Sequence, residues 1–137
     1  MAELAITIAH RAARNAASIA LADTGAGNSA IKVYTAPPAS GGVQLAVIAL
    51  QKPCGVVTPE TGRITIAPDL ASQPLCVGTG VAAWGEWVDG DGTPIGAGAV
   101  AAEGSSEDAC FYIIGTQPGS TQLWAGGTLS LASIIFG

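Results

Sequence analysis

The chain has 137 residues, five Lys or Arg against ten Asp or Glu, a net charge of −5, and only 11% charged residues against 49% hydrophobic. That length suits one domain with its own core. The five bases, Arg11, Arg14, Lys32, Lys52 and Arg63, are scattered, which argues against a nucleic-acid partner, because neutralising phosphates takes clustered Lys and Arg.

Typical soluble domains carry about 25% charged residues. A chain so short of charge fits a subunit that covers much of its surface with neighbours. Its three cysteines, at 54, 76 and 110, have neither metal nor redox spacing, so buried free thiols in a reducing compartment are expected. No apolar run reaches the 18 or so residues of a membrane helix, and Glu3 with His10, Arg11 and Arg14 spoils a signal peptide. The chain reads as unprocessed and soluble, with no membrane partner.

Residues 3–22, "ELAITIAHRAARNAASIALA", lack Gly and Pro. Leu4, Ile8, Ala12, Ala16 and Ile19 recur at helical spacing, with Arg11, Arg14 and Asn15 largely on the other side. Glycine in "DTGAG" stops the helix. After it the period changes to two. Strands are predicted at 30–35, 43–50, 62–68, 81–88, 94–101 and 110–115, a short one at 122–124, and a last one at 128–136. Turn signals between them and the lack of a second helix predict an all-β fold. The expected architecture is an antiparallel β-sandwich or jelly roll of about eight strands with an N-terminal helix. Residues 1–24 form a helical arm and 25–137 the β-sandwich domain. The apolar end "ASIIFG" predicts a central strand or one lent to a neighbour.

Several stretches mimic chemical motifs. "VDGDGT" offers Asp89 and Asp91 as oxygen ligands, but an EF-hand loop counted from Asp89 puts Pro94 at position 6 and Val100 at position 12. Asp-Gly between apolar runs is a hairpin signal. "GTGVAA" at 78–83 fits a loose dinucleotide fingerprint, yet leads into a strand rather than a helix. His10, the only histidine, sits mid-helix and reads as solvated or interfacial rather than as a general base. Glu103, Glu107 and Asp108 read as a polar surface loop, with a cation site as the alternative. Trp87 is assigned to the core. Trp84 and Trp124 are core residues, a sugar-stacking platform or interface anchors. No catalytic, cofactor-binding or metal residue is assigned.

The runs "TGAGNSAIKVYTAPPASGG", "TGRITIAPDLA", "GVAAWGEWVDGDGTPIGAGAV" and "AGGTLSLASIIF" resemble small structural proteins of tailed bacteriophages. The shared plan is a helical segment, a strand ending in tyrosine before a Pro and Gly turn, a tryptophan strand entering an Asp-x-Asp-Gly hairpin, and a closing strand after Gly-Gly. The resemblance covers most of 24–137. It implies a non-enzymatic virion component with a β-sandwich fold: a capsid cement or decoration protein, or a neck, collar or tail accessory. It brings no cofactor. The implied partners are the major capsid protein or other virion proteins and further copies of the chain, and the implied location is the virion, assembled in the bacterial cytoplasm. Expected subunit-interface residues are Leu4, Ile8, Ile19, Trp84, Trp124, Ile134, Ile135 and Phe136. The three cysteines and "LQKPCGVVTPE" depart from the pattern, leaving 51–61 without an assignment. A carbohydrate-binding module using Trp84 or Trp124 is the alternative from another class.

Overall fold

A computed structural model describes residues 4–69, 71, 74–132, 135 and 136. The chain is mostly β, with one N-terminal helix. Helix α1 (Ile8–Ala22) starts at Thr7, whose hydroxyl accepts the amide of His10 at 3.1 Å. This side-chain cap satisfies one of the helix's free first-turn N–H groups. The helix ends at Asp23, before Gly25 at φ 105°.

Ten strands follow: β1 (Ala30–Tyr34), β2 (Gln44–Val57), β3 (Ile64–Pro68), β4 (Gly80–Val81), β5 (Trp84–Val88), β6 (Pro94–Ala102), β7 (Phe111–Ile114), β8 (Gln122–Leu123), β9 (Ser130–Leu131) and β10 (Ile135–Phe136). Eight join in one nearly closed sheet of order β10-β3-β2-β1-β5-β6-β7-β9, while β4 and β8 make a separate two-strand ribbon. All pairings in the sheet are antiparallel except β6 with β7.

Alternation decides which side faces inward. In β1, Ile31 and Val33 are buried while Lys32 and Tyr34 are partly exposed, as the period of two requires. The second strand is apolar on both sides in sequence, yet not evenly buried. Ala46, Ile48 and Leu50 of β2 are buried, but Val47 between them is exposed. The core joins Ile31, Val33, Leu45, Ile48, Leu50 and Ile113 with Phe111, Leu123 and Leu129. Each such side chain contributes about 1.5–3 kcal/mol on burial.

Residues 51–57, unassigned in the sequence, continue β2. The strand pairs with β1 through Ala49 and with β3 from Leu50 on, and the β2–β3 register shifts between Leu50 and Gly55. One long strand thus serves two neighbours by bending at an irregularity, the usual effect of a bulge. The Lys52–Pro53 peptide bond is cis.

The expected closing strand is divided. β9 pairs with β7 at one edge of the sheet, and β10 pairs with β3 at the other. Only residues 132–134 separate them, and four residue steps span at most about 14 Å. One short segment therefore supplies both edges and draws them together.

The helix also differs from expectation. It packs on β2 and β3, with Ala22 fully buried and Ile19 against the core. Arg11 and Asn15, expected on the far side, face the sheet instead. Arg11 Nη1 donates to the Thr61 carbonyl at 3.0 Å and Asn15 Nδ2 to the Gly62 carbonyl at 2.7 Å. Ala16, expected on the packed stripe, is exposed. The alanine-rich surface gives little apolar area to bury, so hydrogen bonds to the 58–62 turn orient the helix.

Candidate functional site

The Asp-Gly stretch is a hairpin tip. Asp89 Oδ1 accepts the amides of Asp91 and Thr93, both at 2.9 Å, and Gly92 adopts φ 85°. These bonds close the turn between β5 and β6, with the glycine supplying the left-handed conformation. The tip also docks on the helix exit. Gly90 N donates to Thr24 O at 2.8 Å, and Gly27 N to Gly90 O at 3.1 Å. Both aspartates therefore work in structure: Asp91 Oδ1 accepts from Ala26 N at 3.4 Å.

A second tie lies beneath. The Asp23 carboxylate accepts the Cys54 amide at 3.0 Å, and Lys52 Nζ donates to the Gly25 carbonyl at 2.9 Å. Burial first, then the Asp23 charge, push the Cys54 thiol up to about 12. Such a thiol stays protonated and is a poor nucleophile. Burial also raises Cys76. Cys110 alone of the three is exposed.

The chemical candidates do not converge. His10 lies on the exposed surface of α1. Glu103 and Glu107 belong to the loop between β6 and β7, where the Glu107 carbonyl accepts Tyr112 Oη at 2.7 Å. Among the described residues, no three His, Cys, Asp or Glu side chains are placed to hold a metal ion. No helix among them is long and apolar enough to cross a membrane. The glycines of "GTGVAA" lead into β4, which pairs with β8.

No protein family, curated protein or solved structure matches this chain. The surface itself is the remaining guide.

The predicted interface residues divide by position. Leu4 is 82% exposed, and Ile8 is exposed at the start of α1. Ile19 is half-buried against the core of its own chain. Trp84 is half-buried in β5, whereas Trp124 is 43% exposed just after β8. Ile135 is 58% exposed in β10, and the Phe136 backbone pairs with Ile64. Ile134 lies outside the described residues. The fold brings Ile135 to the same cleft as Asn15 and Ser18 of α1, so the two ends of the described chain share one side of the molecule.

Sequence reasoning missed a second apolar group. Leu75, Val77 and Val81 are all more than half exposed. They belong with Trp124 to the β4–β8 ribbon and the loops tied to it by Cys76 N to Gly127 O (2.9 Å) and Ala125 N to Thr79 Oγ1 (3.0 Å). The signal available was an isolated "LCVGTGV" with alternating large apolar residues outside any long strand.

Sequence reasoning also missed the cleft at the seam of the sheet. It holds about 340 Å³ and lies between α1, β3 and β10 on one side and β5, β6 and the start of β7 on the other. Among the described residues, none lining it carries a charged side chain. Trp87, Phe111, Gly96, Ala97 and Cys110 are among the residues that line it.

Proposed function

We propose that this chain is a non-enzymatic structural protein of a bacteriophage virion, a cement or decoration protein that bridges major capsid subunits. In this reading the body is a β-sandwich or jelly roll. Its apolar surface groups bury themselves against neighbouring virion proteins or further copies of the chain, and the protein resides in the virion.

The observation that carries the reading is the surface. Twelve large apolar side chains are exposed among the described residues, in a chain with 11% charged residues. Single exposed apolar residues are ordinary. A set of this size, with Trp124 and three aliphatic residues on one ribbon and the loops tied to it, supports contact surfaces built around a tryptophan anchor. Many weak contacts repeated around a shell add up through multivalency. A neck, collar or tail position uses the same surfaces and is the nearest variant.

The test is copy number in purified phage particles, measured by quantitative mass spectrometry against the major shell protein. An abundance close to that of the shell protein is expected. A handful of copies per particle replaces cement with a neck or tail role. Absence from particles overturns the virion reading and leaves the carbohydrate-binding alternative, which a glycan array on folded protein then addresses.

A further inference from the structure

Gly96 stands apart among the described glycines. A Cβ built on it meets nothing within 4 Å, and its φ is not positive. Every other described glycine has a positive φ or a neighbour within reach of that Cβ. Gly98, two residues on, is obligatory because a Cβ there would strike Cys110 Sγ, and Gly85 leaves room for the Phe111 ring at 2.8 Å. Gly96 adjoins the register shift between β5 and β6, but neither a positive φ nor a packing contact asks for glycine there. Glycine inside a strand weakens it, and marks a bulge or a place where a ligand or another backbone comes close.

The space in front of Gly96 is the seam cleft. Gly96 pairs with Trp87 across β5 and β6, so its missing side chain lies on the same face as the indole. The β7 ladder begins only at Val100, which leaves the first residues of β6 paired with β5 alone. The volume of about 340 Å³ falls at the small end of the roughly 300–1,000 Å³ of ligand pockets. Among the described residues the lining is aromatic and aliphatic, with polar side-chain groups from Asn15, Ser18, the indole and the Cys110 thiol. An ion entering this cleft would lose water without gaining a counter-charge from the described residues that line it.

We propose that the seam cleft binds an uncharged, predominantly apolar small molecule, lying against the bare β6 backbone at Gly96 and between Trp87 and the Cys110 thiol. The site is independent of the virion reading.

The probe is the neutral dye N-phenyl-1-naphthylamine, titrated into the full chain. Saturable binding at one site per chain is expected. Gly96→Val fills the cleft and is expected to weaken binding at least tenfold without lowering Tm, since its Cβ meets open space and valine suits a strand. In the unsubstituted protein, bound dye is expected to slow N-ethylmaleimide labelling of Cys110 several-fold, a readout that needs no variant to fold. Absence of saturable binding, equal affinity in Gly96→Val, or unchanged Cys110 labelling each overturns the proposal. If the dye fails to bind yet Gly96→Val lowers the chain's copy number in particles, the cleft is a socket for a partner's side chain instead.

Discussion

Trp87 and Ser29, 58 positions apart, share a hydrogen bond: the indole Nε1 donates to Ser29 Oγ at 2.8 Å. The hydroxyl in turn donates a hydrogen bond to the Val88 carbonyl at 2.7 Å. Ser29 is fully buried and is the one buried polar residue among those described. It fastens the start of β1 to β5 just where the register shifts between Trp87 and Val88.

Ser29→Ala removes an acceptor and a donor from this buried site. Leaving such groups without their partner costs about 1–3 kcal/mol. Urea unfolding should show that loss as a lower midpoint at unchanged slope. A cost below the error of the measurement would mean that the hydroxyl is dispensable to the β1–β5 join.

Asn15→Ala tests the orientation of α1. It deletes the 2.7 Å bond to Gly62 O, at a net cost of about 0.5–1.5 kcal/mol. Hydrogen exchange should quicken in 8–22 before it does in β1 and β2, because the helix is attached through few buried side chains. Uniform loss of protection would show instead that helix and sheet unfold as one unit.

Asp89→Ala removes the acceptor that closes the hairpin and is expected to cost about 1 kcal/mol, whereas Asp89→Asn keeps an acceptor oxygen and restores most of it. Millimolar calcium or EDTA is expected to leave Tm unchanged. A clear rise in Tm with calcium would favour the cation reading of Asp89 and Asp91 over the turn reading.

Ellman's reagent at pH 8 should titrate a single thiol per folded chain, Cys110, and the other two only in denaturant. Stability should also fall in alkali. Cys54 titrates at about 12 when folded, against about 8.5 in an unfolded chain. Between those values the unfolded state holds fewer protons, so stability is full below about pH 8 and declines as pH rises. Cys76, raised by burial, and Tyr34, raised by burial and then by its hydrogen bond to Glu86, act in the same direction. The urea midpoint measured from pH 7 to 11 should bend downward, and Cys54→Ala should flatten part of that bend. A curve of identical shape in the variant would sink this assignment.

Local chemistry was easy to read ahead of the fold. The β1 alternation, the Asp-Gly hairpin and the glycine stop after α1 depend on near neighbours, so "AIKVY", "VDGDGT" and "DTGAG" each show them. Three features depend on distant partners and left little trace. Pro53 and Gly55 look like strand breakers, yet β2 runs through both, its ladder with β3 taking an irregular step between Leu50 and Gly55. Arg11 and Asn15 look like a solvated face until the 58–62 turn supplies carbonyls for them. The parallel β6–β7 pairing leaves no periodic mark at all. The cleft was hidden for a related reason: "PIGAGAVA" shows small residues, but only contact geometry separates Gly98, which must be glycine, from Gly96, which need not be.

The divided C-terminal segment has a consequence for synthesis. Thr65 and its ladder partner Ile135 are seventy residues apart in sequence. On a ribosome, β3 emerges with its outer backbone groups unsatisfied and stays so until almost all of the described chain has been made. An open strand edge is a template for pairing with another chain. Nascent chains crowded on one messenger are therefore most exposed to cross-pairing at "ITIAP", and translation that slows between β3 and β10 should lower the yield of folded protein more than a pause placed earlier.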